Sequence, residues 1–257
     1  MPSLKSRSLT KRFGDLEVLR EISVTINDGE FVALVGPSGC GKTTFLRIVS
    51  GLESAEGGTI SVDDAIVSGP GRDRGFVFQS DSLLPWRTVL DNTVVGLELA
   101  GRIGATDLER TRKMLSLVGL AGFESYFPRQ LSGGMRQRVN LARALAIDPK
   151  VLLMDEPFSA LDAQTREIMQ SELQRIWEEG RKTVLFVTHQ IDEAVFLADR
   201  VLVFARRPGR ILEDVRIELP RPRTLSTKRE PAFVALVDHI WRLIENDVRE
   251  SVLVEHG

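Results

Sequence analysis

The chain has 257 residues, 42% of them hydrophobic, which is enough to bury one substantial core, or a core with a smaller attached lobe, and excludes disorder over most of its length. Thirty-four Lys and Arg against 36 Asp and Glu leave a formal charge of -2, which excludes the broad basic excess of a nucleic-acid binder. Cys40 is the only cysteine, so no intrachain disulfide forms and a reducing cytosolic setting is expected.

The opening "MPSLKSRSLTKRF" lacks the apolar core of a secretion signal. Nowhere do 18 apolar residues follow one another, so the chain is expected not to span a membrane by itself. Residues 16 to 27, "LEVLREISVTIN", roughly alternate apolar and polar, and "GTISVDDAIVSG" at 58 to 69 does likewise; both read as half-buried antiparallel strands of an N-terminal β layer. "FVALVG" (31 to 36), "GFVFQ" (75 to 79), "VLLMD" (151 to 155) and "TVLFVTH" (183 to 189) are almost continuously apolar. Such runs suit strands buried on both faces of a parallel sheet covered by helices, and the spacing predicts those helices over 42 to 50, 164 to 179 and 191 to 198. Between Thr88 and Ile147 the β signal fades, and apolar residues at three-to-four spacing predict an inserted helical lobe. Residues 200 to 219 read as a hairpin turning at Arg207 to Arg210, "LPRPR" at 219 to 223 breaks the chain, and an amphipathic helix spans about 231 to 246. The basic run Arg221, Arg223, Lys228 and Arg229 reads as a solvated tail.

Chemistry concentrates at strand ends. "GPSGCGKT", Gly36 to Thr43, fits G-x-x-x-x-G-K-[ST], follows an apolar strand and opens a helix. Gly36, Gly39 and Gly41 let backbone N–H groups curl round an anion, Lys42 supplies a full charge, and Thr43 offers a hydroxyl to Mg²⁺. Cys40, inside this loop, reads as a small residue that fits. "VLLMDEP" ends a buried strand in Asp155, a candidate Mg²⁺ ligand, and Glu156, a candidate base for water attacking a γ phosphate. His189 and Gln79 also end strands, where packing or capping roles stand open beside chemical ones.

In order and spacing these motifs resemble the ATP-binding subunit of an ABC transporter, over almost the whole length. "GPSGCGKTT" resembles its Walker A motif, "FQSDSLLPW" its Q-loop, "LSGGMRQRV" its signature, "VLLMDEP" Walker B, "SALD" the D-loop and "VTHQIDEA" the histidine switch. The resemblance implies a P-loop α/β fold with a mainly parallel sheet, an antiparallel β layer and a helical subdomain at about 88 to 147. It implies a domain over 1 to 220 and a short helical extension over 221 to 257. ATP would bind Gly36, Pro37, Ser38, Gly39, Cys40, Gly41, Lys42, Thr43 and Thr44, with Phe13 stacked on adenine. Mg²⁺ would meet Thr43, Gln79 and Asp155, while Glu156 would be the base and His189 would contact the γ phosphate. Two copies would pair head to tail, Ser132, Gly133 and Gly134 of each facing the other's ATP and Asp162 lying at the seam.

Partners implied are an integral-membrane permease, docked around 79 to 92, and indirectly an extracytoplasmic solute-binding protein, at the cytoplasmic face of the cell membrane. "SLLPWRTVLDNTVVGLEL", "LPRPR" and the short C-terminal extension resemble importers of the nitrate, sulfonate and taurine group, although Ser159 stands where that group commonly has Gly. Two other functions compete. A soluble ABC ATPase driving protein or nucleic-acid machinery usually joins two such domains or inserts long coiled coils. A module using ATP only as structural glue would not require Glu156.

Overall fold

The computed structural model describes residues 2–80, 82–99, 101, 103–159 and 161–255. In chain order its elements are β1 (Pro2–Phe13), β2 (Leu16–Asn27), β3 (Phe31–Val35), α1 (Lys42–Ser50), β4 (Gly57–Val62), β5 (Ala65–Ile66) and β6 (Arg74–Val77). There follow α2 (Val89–Leu99), α3 (Ala105–Leu117), α4 (Gly133–Ala146), β7 (Val151–Asp155), α5 (Ala163–Gly180), β8 (Thr183–Val187) and α6 (Ile191–Leu197). β9 (Arg200–Phe204), β10 (Ile211–Arg216) and α7 (Pro231–Glu255) complete the fold. The chain divides into two compact units, Met1–Gly71 with Arg181–Gly257, and Arg72–Gly180.

The first unit has two sheets. One is antiparallel, ordered β2-β1-β4-β5, its first hairpin closed by the two-residue turn Gly14–Asp15 with Gly14 at φ 58°. β2 alternates as its sequence predicts, whereas β1 gave no such signal and emerges only in the structure. The other sheet holds β3 parallel to both β8 and β9, with β10 antiparallel on β9. Every residue of β3 and β8 is buried, as two-sided coverage requires. Phe31 packs on Phe186 at 5.8 Å between ring centres and Phe45 on Phe204 at 6.1 Å, and all four rings are fully buried.

The expected solvated basic tail is not one. Arg223 is 4% exposed and donates to the carbonyls of Val195 (3.0 Å), Phe196 (3.1 Å), Ala198 (2.7 Å), Ile217 (3.3 Å) and Leu219 (3.3 Å). Arg221 adds the Leu197 carbonyl at 2.6 Å and the Asp199 carboxylate at 2.8 Å. A helix leaves its last carbonyls without internal partners and ends at negative potential, so two guanidinium groups there close α6. Lys228 lies over the Phe196 ring at 4.9 Å, leaving Arg229 as the exposed member of the run.

In the second unit, β6 and β7 run parallel, pairing Arg74 with Val151 through Val77 with Met154. α2, α3 and α4 form the helical lobe that the spacing predicts and bury Val94, Leu97, Leu115, Val139 and Leu145. Asn92, fully buried, accepts from Leu84 N at 2.7 Å and donates to the carbonyls of Leu84, Arg87 and Thr88 at 3.1, 3.0 and 3.0 Å. That amide fixes the loop on which Trp86 stands 71% exposed. No helix among the described residues is long and apolar enough to cross a membrane.

Candidate nucleotide site

In the first unit the phosphate-loop residues leave the C-terminal end of β3 and enter α1. Gly36, Gly39 and Gly41 have φ of 149°, 76° and 100°, conformations that side chains rarely adopt. Crowding adds to that requirement: a Cβ on Gly36 would lie 2.5 Å from the Phe204 carbonyl oxygen, and one on Gly41 2.6 Å from Leu19 Cδ2. Gly41 caps α1 without a side-chain bond, so the positive end of the helix carries no side-chain anion of its own. Lys42, 6% exposed, folds back on the loop and donates from Nζ to the carbonyls of Gly36 at 2.8 Å and Pro37 at 3.1 Å. Cys40 is fully buried with Nζ of Lys42 3.6 Å from its sulfur; burial pushes the thiol pKa up, which favours the packing role expected of it. Ser38 and Gly39 are exposed, while Pro37, Thr43 and Thr44 are half-buried.

His189 lies at the same sheet edge, because β8 runs parallel to β3 and Thr188 N donates to Leu34 O at 3.2 Å. The histidine is exposed rather than packed, whereas the neighbouring Thr188 hydroxyl is taken by Glu193. Phe13 is 49% exposed, and Lys11 Nζ sits 4.7 Å from its ring centre. That lysine also meets Glu53 and Glu56, both at 2.9 Å, so one ring face is backed by a fixed cation.

In the second unit, Gln79 and Glu156 follow the parallel strands β6 and β7 and meet: the Gln79 amide Nε2 donates to Glu156 Oε2 at 3.2 Å. Glu156 takes φ 46°, a left-handed backbone value that non-glycine residues adopt infrequently. Asp155 beside it is 6% exposed. Ser132 caps α4 by accepting from Met135 N at 3.2 Å, which leaves the N–H groups of Gly133 and Gly134 as the first of the helix and its hydroxyl proton available. Asp162 is exposed and accepts from Thr165 N at 3.0 Å, and that bond lowers its pKa; locally it caps α5. Ala160 of the "SALD" segment lies outside the described residues.

One functional candidate escaped the sequence reading. Arg207, at the turn between β9 and β10, donates from Nε to Gly39 O at 3.3 Å, bringing a second cation to a loop where only Lys42 was expected. The "RPG" turn marks a hairpin, but nothing in it announces a contact spanning 168 residues.

The sequence model of the ABC transporter family matches residues 19–159. An uncharacterised ABC transporter ATP-binding protein of Methanocaldococcus jannaschii is 54% identical over 97% of this chain and 94% of its own length. The nitrate import ATP-binding protein NrtD of Synechocystis is 46% identical over 96% and 95% of the two chains, and the taurine import ATP-binding protein TauB of Yersinia pseudotuberculosis is 46% identical over 86% and 89%. A dimeric ATP-binding cassette solved in a post-hydrolysis state with ADP and Pi superposes with a TM-score of 0.74 at 32% identity, covering 84% of this chain and all of that one. The chain therefore belongs to the ATP-binding subunits of ABC transporters and is an ATPase.

Proposed function

We propose that the chain is the ATP-hydrolysing subunit of an importer for nitrate, a sulfonate, taurine or a related small solute. It works as a head-to-tail pair at the cytoplasmic face of a membrane, bound to a separate permease and, through it, served by an extracytoplasmic solute-binding protein. The solute class rests on the 46% identity to proteins named as nitrate and taurine import ATP-binding proteins. The hydrolytic role of this chain's own residues rests on one observation, the Gln79 amide donating to the Glu156 carboxylate at 3.2 Å.

On binding, the phosphates of ATP take Lys42 from the carbonyls of Gly36 and Pro37 and meet the N–H groups of the loop and of the first turn of α1. Phe13 offers adenine the ring face away from Lys11. Glu156 accepts the proton of the attacking water, Gln79 orients the carboxylate, and His189 donates toward the γ phosphate. The partner's Ser132, Gly133 and Gly134 supply the remaining donors, and Asp162 stands at the seam.

Among the described residues no three His, Cys, Asp or Glu side chains cluster as a protein-only metal site. By the family resemblance, Thr43 of the first unit and Gln79 and Asp155 of the second would hold Mg²⁺, which takes few protein ligands beside phosphate and water. Because Gln79 gives its amide nitrogen to Glu156, its carbonyl oxygen is left for a cation. Bound there, Mg²⁺ would neutralise charge developing on the phosphates.

The test mixes two inactive variants. Lys42→Ala removes the cation of the loop, and Ser132→Arg blocks the signature turn. A head-to-tail pair formed from one of each contains one pocket with both parts intact, so mixing restores ATP turnover. Two variants that stay inactive when mixed, with mixed pairs demonstrated by differential tags, would overturn the shared-pocket reading. Solute class is tested by disrupting the gene in the source cell and measuring nitrate, sulfonate and taurine uptake; uptake of all three at the undisturbed rate would overturn it.

A further inference from the structure

The turn between β9 and β10, residues 205–210, has no part in the reaction described above, yet it supports the phosphate loop from outside. Gly209 lies flat against the loop: a Cβ there would stand 2.0 Å from the Cys40 carbonyl oxygen. The turn is joined to β2 by Gly209 N to Val18 O at 2.8 Å and Arg20 N to Gly209 O at 2.9 Å, and Val18 and Leu19 in turn press on Gly41. Arg207 completes the support, donating from Nε to Gly39 O at 3.3 Å, with Nη2 3.1 Å from where a Gly39 Cβ would be. On its other side the turn is held by α7: the Arg206 N–H donates to the Asp247 carboxylate, and His239 Nε2 lies 2.8 Å from Glu213 Oε1 on β10.

A loop that bends through three glycines at positive φ has little stiffness of its own, and its value to an anion depends on N–H groups already converging. Lys42 braces the loop through Gly36 and Pro37, but that brace is surrendered when the ammonium turns to phosphate. Arg207 is not surrendered, because it holds a different carbonyl. Its remaining N–H groups also keep a full positive charge beside the loop, where a polyphosphate gains from it at low salt.

We propose that Arg207 is a positioning residue for ATP: clamped on the Gly39 carbonyl and backed by the turn that Gly209 and Asp247 anchor, it holds the phosphate loop in its anion-binding shape. This rests on the phosphate-loop assignment, which the test must be able to fail separately.

Purified wild type, Arg207→Ala, Arg207→Lys and Lys42→Ala are compared by steady-state ATP hydrolysis, nucleotide binding and nucleotide-free melting temperature. Arg207→Ala is expected to raise KM for ATP about three- to tenfold, the scale of one partly exposed charge-assisted bond, with kcat within about twofold. Arg207→Lys recovers most of that loss, since charge and reach persist, and melting without nucleotide stays at the wild-type value for both. An unchanged KM in Arg207→Ala, with binding clearly weakened in Lys42→Ala, overturns the proposal alone. A fall in melting temperature and kcat with KM unmoved also overturns it, as the signature of a merely structural arginine. Binding in Lys42→Ala within about twofold of the wild-type affinity overturns the phosphate-loop assignment and the proposal with it.

Discussion

Lys42→Ala tests the loop quantitatively. An ammonium about 4 Å from a phosphate charge, in surroundings of effective dielectric about 20, gains about 4 kcal/mol. The structure shows what must be subtracted, because Nζ already donates to Gly36 O at 2.8 Å and Pro37 O at 3.1 Å. Releasing those two bonds costs about 1 kcal/mol each, which leaves a net contribution of about 2 kcal/mol and an expected weakening of ATP binding of about thirtyfold. Titration calorimetry or a fluorescent nucleotide measures that ratio directly. Because Lys42 is 6% exposed and braces the loop, the melting temperature without nucleotide should also drop modestly. A dissociation constant within about twofold of wild type would refute the reasoning, since it would mean that the carbonyl bonds cancel the phosphate attraction.

Two further outcomes concern stability. Arg223→Ala removes the donor to five carbonyls in a buried setting and should lower the unfolding free energy of the first unit by about 3 kcal/mol, read from urea melts; a loss below about 0.5 kcal/mol would contradict its closing role at α6. The Lys11 network sets an acid limit. The bond from Lys11 holds Glu53 below the usual 4.5, and the bonds to Glu56 from Lys11 and the Arg12 N–H outweigh its burial in the same direction. The unfolded chain therefore takes up these protons first as pH falls, so the stability they contribute is present at neutral pH and lost below about 4.5. Melting curves carried below about pH 4.5, to about pH 3, should fall less steeply in Lys11→Met than in wild type, and parallel curves over that range would contradict this.

What the sequence made legible follows from how directly each residue reports its surroundings. The strands β3, β7 and β8 are buried throughout and apolar at every position except Thr183 and Asp155, and the loop after β3 carries its glycines and lysine within eight consecutive residues. β1 is as long and as well paired, yet its burial falls on Leu4, Ser6, Leu9 and Lys11. A bulge around Ser8, at φ 44°, shifts the alternation by one, and two of those buried positions are polar, so no period of two survives. Arg223 misled for a related reason: in a basic run a buried arginine looks like a solvated one until the carbonyls at the end of α6 are in view. Helix α7 continues to Glu255, beyond the expected stop near 246, because no breaker interrupts it.

The candidate site divides in the same way. Gln79 and Glu156 stand 77 residues apart, and only the parallel pairing of β6 and β7 brings the amide to the carboxylate. Each could be suspected from its strand end, but the bond between them could not. Asp162 shows the reverse, a residue singled out for the seam whose visible bond is a local cap on Thr165 N at 3.0 Å. Arg207 had no motif to announce it, since its partner is a backbone carbonyl, and a carbonyl has no letter in the sequence.

The central claim is that this chain cleaves ATP with Glu156 as its base, and Glu156→Gln tests it most directly. The amide keeps the shape and can still pair with Gln79, but it cannot accept a proton from water. ATP binding should persist, turnover should fall by at least about a hundredfold, and sizing chromatography with ATP should show trapped dimers. Turnover at the wild-type rate in that variant would contradict the account.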